Sequence, residues 1–366
     1  MNKNKISPAL INKVSTQSTQ KQAVFVDCLN YYKTCKFLWQ HNVNFKQYPF
    51  INCLKIDVDT PEIVSLSNEK NINYLYENQR VNIEFTGKTN INLQKLTQNK
   101  FLGRGQTICF IDTGIFPHAD FLFPKNRIKK FIDLTNQKSF PYDDNGHGTF
   151  VAGIACSCGI LNKQNMGYAP EADIVSIKAL NTDGTSDSNK ILDAMQWVYE
   201  NYKKYNISVV CMSFGADTLN SSDPLSKGAE ALWKKGLVVV AAAGNSGPAK
   251  NTIKSPGNNP NIITVGALDV STLSVASFSS RGPTIYGHKP DLLAPAVNIT
   301  SCNNLGEFYT EMSGTSVATP IVAGICADIK CRWPEMKNYQ IKEFLMQNCK
   351  KITGDTDIEG AGYISF

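Results

Sequence analysis

Apolar residues in the later part of the chain fall in short unbroken runs, at 107–111, 174–177, 207–212, 237–243 and 262–265. Runs of this length without polar interruption suit parallel strands buried on both faces, because a strand with one wet face would alternate. Between the runs the period changes. Ile191, Ala194, Met195 and Val198 fall at i, i+3, i+4 and i+7, one stripe of an amphipathic helix. Strands alternating with helices in this way predict an α/β domain, a mainly parallel sheet with helices on both faces. In such sheets ligands bind beyond the carboxyl ends of the strands. Asp112 closes the first run, Ser213 follows the third and Asn245 follows the fourth, so three polar groups are expected on one edge.

The N-terminal part is organised differently. Strand-like runs at 23–28, 52–58 and 72–76, with helical stretches at 31–41 and 61–68, suffice for a small α+β domain over 23–85. Residues 1–22 are polar and read as a loosely attached tail. The stretch 86–99, rich in Asn, Gln, Lys and Thr, reads as a linker to a larger domain over 100–366.

Composition narrows the function classes. The net charge is +6, but residues 1–85 carry 10 Lys/Arg against 7 Asp/Glu and the remainder 27 against 24. The excess is thus spread thinly, and no basic block points to nucleic acid. No run is long and apolar enough to predict a membrane span, and the first residues lack the apolar stretch of a secretory signal. The 11 cysteines are odd in number and irregular in spacing, with no CxxC pair to suggest zinc. Cys109, Cys211 and Cys326 sit in apolar runs, where buried thiols are expected. These features favour a cytoplasmic setting, with secretion the alternative if a leader has been removed.

Three segments carry candidate chemistry. Ser316 lies in Gly314-Thr315-Ser316-Val317-Ala318-Thr319-Pro320, at the start of a helical stretch. Small neighbours let a substrate backbone approach, and a helix N-terminus favours negative charge on a bound carbonyl oxygen. His147, one of four histidines, stands between glycines in Asp143-Asp144-Asn145-Gly146-His147-Gly148. Asp112 ends an apolar strand, where a carboxylate is costly unless a donor meets it. Taken singly, these are an N-cap serine, a loop histidine and a strand-end aspartate. Gly103-Arg104-Gly105 precedes a strand and reads as a turn, not a phosphate loop.

Together the three segments resemble the Asp, His and Ser signatures of the subtilisin family, in that family's chain order. Further segments extend the likeness: Ser213-Phe214-Gly215 resembles the strand that pairs with substrate, and Ala241-Ala242-Ala243-Gly244-Asn245 the segment bearing the oxyanion-hole asparagine. The resemblance covers about residues 100–366 and implies a three-layer subtilisin-like fold and a serine endopeptidase acting on peptides or proteins. It assigns Ser316 as nucleophile, His147 as base, Asp112 as its partner and Asn245 as an oxyanion donor, with no cofactor needed for the chemistry. Ala241, Ala242, Ala243 and Gly244, with Ser213, Phe214 and Gly215, would wall the specificity pocket. Lys254 resembles the position at its far end, so acidic side chains are expected there. Val317, Ile321 and Ala296 depart from the family's usual residues without touching the triad.

Residues 23–85 resemble the family's inhibitor-chaperone propeptide, through the run 63–78. That likeness implies a zymogen cutting itself near Glu84 or Phe85 and retaining its own propeptide as inhibitor; an unrelated accessory domain is the alternative. Asp120 resembles a calcium-ligand aspartate, though the partner loop 156–166 departs from the usual pattern, so structural calcium is optional. Two rival functions remain: a maturation protease removing a leader from a partner peptide, and an inactive fold used as a binding module.

Overall fold

The computed structural model describes residues 1–15, 20–84, 101–217, 223–306 and 308–364. The N-terminal block comprises α1 (Pro8–Ser15), β1 (Gln22–Cys28), α2 (Tyr31–Gln40), β2 (Phe45–Tyr48), β3 (Cys53–Val58), α3 (Thr60–Ser67) and β4 (Ile72–Glu77). Its four strands form an antiparallel sheet in the order β2-β3-β1-β4, with Val26 opposite Leu54 on one side and Leu75 on the other.

The two-residue period of a strand gives this sheet two apolar faces. Val24 and Val26 of β1, Leu54 and Ile56 of β3, and Leu75 of β4 pack with Leu38 and Ile63 from the block's own helices. Phe25, Cys53 and Tyr76 point the other way and join a second core with residues of the larger domain. The block is therefore fastened by its sheet. Polar pairs frame the seam, with Tyr48 Oη 2.9 Å from Asp193 Oδ1 and Lys227 Nζ 2.7 Å from Asp27 Oδ1.

The loosely attached tail expected over 1–22 is corrected for residues 1–15. Ile6, Leu10 and Val14, spaced by four, form a buried stripe against the block's core. Lys5 Nζ caps the carbonyls of Glu69 and Ile72 at 2.9 and 2.6 Å, and Ser7 bonds the Glu77 carboxylate. The polar residues between the three apolar ones conceal the stripe in a compositional reading. The proposed linker 86–99 lies outside the described residues.

A short strand, β5 (Arg80–Ile83), leads away from the block. The larger domain follows with β6 (Thr107–Asp112), α4 (Ala119–Leu122), β7 (Ile128–Asp133), α5 (His147–Cys156), β8 (Asp173–Lys178), β9 (Thr185–Asp187) and α6 (Ser188–Asn201). It continues through β10 (Ile207–Met212), β11 (Phe214–Gly215), α7 (Pro224–Lys234), β12 (Val238–Ala242), β13 (Ile263–Asp269), β14 (Ser274–Val275) and β15 (Leu292–Pro295). It closes with β16 (Ile299–Cys302), β17 (Tyr309–Met312), α8 (Thr315–Arg332), α9 (Asn338–Gln347), β18 (Cys349–Lys350), α10 (Thr356–Glu359) and β19 (Tyr363–Ile364).

The central sheet runs β18-β19-β15-β13-β12-β10-β6-β8-β7 and is mainly parallel. Its strands alternate between two buried faces, as unbroken apolar runs require. Ile108 and Phe110 of β6, Val209 of β10 and Val240 of β12 pack with α5 and α8. Cys109, Ile111, Val210 and Val239 pack instead with Ile191, Met195 and Val198 of α6 and Leu232 of α7. The fold is thus a three-layer α/β arrangement. Cys109, Cys211 and Cys326 are buried free thiols, and among the described residues no helix is long and apolar enough to cross a membrane.

Leu10→Ala should cost the block about 2–5 kcal/mol, the usual range for emptying a buried leucine site. Amide hydrogen exchange on Ser316→Ala protein should show faster exchange in β4 with β10 and β12 unchanged; equal protection of β4 in both proteins would mean that α1 does not support it.

Candidate active site

Asp112 ends β6 at the carboxyl edge of the sheet and is almost wholly buried. Its Oδ1 accepts from the Thr113 N–H and lies 2.7 Å from His147 Nδ1. An ionised carboxylate only accepts, so Nδ1 carries the hydrogen and Nε2 is the ring's free lone pair in the neutral tautomer. His147 opens α5, and the approach to it is close. Gly148 N–H donates to Thr113 Oγ1 at 2.8 Å, and a side chain at Gly148 would collide with the Gly114 carbonyl. Asp143 ties these pieces together. Its carboxylate accepts from Thr113 Oγ1, the N–H groups of Asn145, Gly146 and Thr149, and Thr149 Oγ1, all at 2.7–3.1 Å. It anchors the residue after Asp112 to the helix that carries His147. Sequence reading gave it no role beyond the turn, although an aspartate preceding a helix start by a few residues is a known capping pattern.

Ser316 sits in the first turn of α8. Pro320 lies inside that helix, so it cannot supply the N–H that would bond the Ser316 carbonyl four residues back. Ser213 Oγ takes that place at 3.0 Å, linking the turn after β10 to the serine's backbone. Asn245 lies beside it, its side-chain oxygen accepting from Thr315 N and Thr315 Oγ1, both at 3.0 Å. Those bonds set the carboxamide's orientation and leave Nδ2 as the remaining donor. Asn245 Nδ2, Ser316 Oγ, His147 Nε2 and Asp112 Oδ2 are all buried without a hydrogen-bond partner. Unsatisfied buried polar atoms are rare and costly, and here four come from these candidate residues.

The chain's own β5 occupies the adjoining cleft. It runs antiparallel between β11 and β9, with Ile83 opposite Phe214, Asn82 opposite Gly215 and Val81 opposite Ser186. At its end the Glu84 carbonyl accepts from Ser316 N–H at 3.2 Å, and Glu84 Oε2 accepts from Asn245 N–H at 2.8 Å. Burial pushes the Glu84 carboxyl up to about 7, although the Asn245 N–H and the Lys254 charge pull it down.

The expected pocket residues divide. Gly215 and Gly244 face this side chain and Lys254: a Cβ on Gly215 would lie 2.7 Å from both Glu84 Oε1 and Lys254 Cβ, and one on Gly244 would strike Lys254 Cγ. The Lys254 stem thus forms a wall, while its Nζ pairs with the exposed carboxylate of Asp217, a residue that sequence reading passed over. Ala243 contributes its carbonyl to Lys254 N–H at 2.9 Å. Phe214 and Ala241 turn their side chains into the core shared with α6 and α7, and Ala242 is buried within β12.

Asp120 does not suit calcium. Its Oδ2 accepts from Ser157 Oγ at 2.6 Å and Tyr309 Oη at 2.8 Å, and its Oδ1 from the N–H groups of Ile160 and Leu161 at 2.9 and 3.3 Å. The Cys302 and Cys158 thiols approach at 3.7 and 3.9 Å. Burial alone would raise this carboxyl; the hydroxyl and backbone donors hold it below its ordinary value. With His118 and Cys302 it forms a buried cluster of metal-ligand types, yet protein donors occupy the lone pairs that a hard cation would need. The calcium expectation at Asp120 is corrected on that ground.

A model of the Subtilase family matches residues 103–362. The chain is 40% identical over 349 residues to serine protease AprX of Bacillus subtilis (strain 168), covering 86% of this chain and 78% of that protein. It is 30% identical over 327 residues to the thermostable alkaline protease of Halalkalibacterium halodurans, covering 87% of this chain and 82% of that one. Among solved structures, a cold-adapted subtilisin-like serine proteinase superposes with a TM-score of 0.63 at 28% identity, covering 76% of this chain and 94% of its own.

Because protein donors fill the Asp120 site, any shift a calcium chelator makes in the thermal midpoint of Ser316→Ala protein should be the same with and without Asp120→Ala. Adding Asp120→Ala should destabilise that protein by about 3 kcal/mol or more, since several buried donors lose their acceptor. A large chelator effect that Asp120→Ala abolishes would show that a cation holds this site after all.

Proposed function

The chain belongs to the subtilase family of serine proteases, hydrolases of peptides or proteins, and we propose that it cuts peptide bonds through Asp112, His147 and Ser316 after first cutting itself behind Glu84. Ser316 Oγ attacks the scissile carbonyl carbon while His147 Nε2 takes its proton. Asp112 keeps the imidazole in the Nδ1–H tautomer and stabilises the cation that forms. The developing oxyanion lies against Ser316 N–H and the Asn245 carboxamide. Collapse expels the amine, which receives the proton from His147. Water then enters by the same base and releases the acyl group from Ser316, restoring the serine.

The observation that carries this reading is the Glu84 carbonyl on the Ser316 N–H, at the end of a strand held between two strands of the larger domain. A backbone threaded in this way is a substrate in place, and Glu84 is the residue before the bond to be cut. Phe85, the other candidate for that position, lies outside the described residues. After the cut, the Phe25, Cys53 and Tyr76 face of the block remains packed on the larger domain, so the block persists as a bound product that fills the cleft. The unpartnered atoms of Ser316, His147 and Asn245 speak against an inactive binding module, because they gather at the end of the threaded strand, where a reacting carbonyl would meet them.

Intact mass of the wild-type chain should reveal an N-terminal fragment ending at Glu84, whereas Ser316→Ala stays full length and takes no fluorophosphonate label. A wild type that remains one chain while cutting added peptides would overturn self-processing. Asn245→Ala should lower kcat by about 10²–10³-fold, the figure known for the equivalent donor of subtilisin itself.

The released block should also respond to pH. Lys254, Asp217 and His147 are the charged or titratable groups facing the Glu84 carboxyl. Its bound value, about 7, lies above that of a free glutamate. The bound form therefore holds its proton more tightly than the released form. Retention is strongest below the ordinary glutamate range and weakens as pH rises toward 7. Gel filtration of the cut chain at pH 5 and pH 8 should find more block retained at the lower pH, with Glu84→Gln removing the difference. An equal difference in Glu84→Gln would assign the effect to other groups.

A further inference from the structure

We infer that the pocket behind Ser316 selects a glutamyl or glutaminyl side chain before the scissile bond, and that Asp217 sets the balance between the two by holding the Lys254 ammonium at the rim. This rests on the peptidase reading above and concerns what the same site accepts.

The shape comes first. With no side chain at Gly215 or Gly244, the Lys254 stem lies against both and forms the far wall. The Glu84 side chain fits between that wall and the Asn245 backbone, reaching its N–H with Oε2 at 2.8 Å. Leucine and phenylalanine both lack an acceptor for that N–H. Leaving a buried donor unpaired penalises both, since a site built to hydrogen-bond a group rejects analogues without it. A single N–H donor does not distinguish a carboxyl from a carboxamide. Both offer an oxygen at the same reach.

Charge decides between them. The Lys254 ammonium ends the side chain that forms the pocket wall, but it pairs with Asp217, whose side chain is 81% exposed against 20% for the lysine. Asp217 is placed by the segment in the cleft: its carbonyl accepts from Gln79 Nε2 at 2.9 Å. The ammonium's attraction for a carboxylate in the pocket is thereby opposed by a second carboxylate close by. Burial is the main cause of the raised Glu84 carboxyl; against it the Lys254 charge acts to lower the value, and the Asp217 charge opposes Lys254. The pocket consequently accepts glutamine and glutamate with similar ease, and removing the Asp217 charge frees the ammonium to favour the ionised acid.

The test is a competition. Four peptides identical except for Glu, Gln, Leu or Phe before the scissile bond are mixed at equal concentration with the full-length chain, and products are counted by mass spectrometry. Product ratios then report ratios of kcat/KM, and any block still bound slows all four alike and cancels. Wild type should yield more Glu and Gln product than Leu or Phe product. Asp217→Asn should raise the Glu-to-Gln ratio by about tenfold, the scale of one charged hydrogen bond, and Lys254→Met should lower it. A wild type that prefers Leu or Phe overturns the substrate class. A Glu-to-Gln ratio that Asp217→Asn leaves unmoved overturns the role of Asp217. No product from any peptide, together with a wild-type chain that never cuts itself behind Glu84, overturns the peptidase reading and this inference with it.

Discussion

A carboxylate buried at the end of a strand must be met by a donor, and Asp112 is met by His147 Nδ1 at 2.7 Å. Much of the candidate site follows from that pairing. It requires α5 to begin within reach of the end of β6, which in turn requires Gly148 to pass against Gly114 and Asp143 to fasten the two segments. With Nδ1 committed to Asp112, Nε2 is the nitrogen left over. The sheet makes the pairing necessary: because both faces of β6 are buried under helices, water is not available to solvate the carboxylate.

Proline plays a complementary part in α8. By removing one helix hydrogen bond at Pro320, the chain creates a demand that Ser213 satisfies, and the Ser316 backbone becomes tied to the loop beside β11. The strand that pairs with β5 and the serine that faces the end of β5 are thus held by one hydrogen bond. The N-terminal block exploits the result. Its sheet has an apolar face for itself and another for the larger domain, so the position of Glu84 follows from packing some distance away.

Much of this was legible in the sequence because it is local. The unbroken runs marked strands with two buried faces, and the ends of those at 107–111, 207–212 and 237–243 do lie in neighbouring strands β6, β10 and β12. Short motifs around Asp112, His147 and Ser316 carried the family. What escaped was non-local or masked by composition. The stripe Ile6, Leu10, Val14 is three residues in a polar segment, and its partner Leu75 lies far along the chain. Asp217 acquires meaning only when Lys254 folds beside it. Ala241 stands in a motif whose neighbours line the pocket, but the strand's two-residue period turns its side chain into the core. Asp120 matched a calcium pattern, while the donors that replace the cation come from Ser157, Tyr309 and two backbone groups that no motif flags.

Three buried carboxyl groups, Asp120, Asp133 and Glu84, differ in the number of donors they receive. Asp120 has hydroxyl and backbone donors on both oxygens, and Asp133 is bonded by Thr135, Asn136, Lys138 and Tyr142; both are held below the ordinary carboxylate range against the effect of burial. Such groups are built to stay charged and in place. Glu84 has one backbone donor, an ammonium already paired with another carboxylate, and a raised value. A side chain that must arrive, be held through one reaction and then depart cannot be bound as tightly as a structural carboxylate. A full set of donors would make the first product permanent. The sparse bonding of Glu84 therefore suits the role proposed for it, a side chain bound for one cut behind it and not fixed as scaffold.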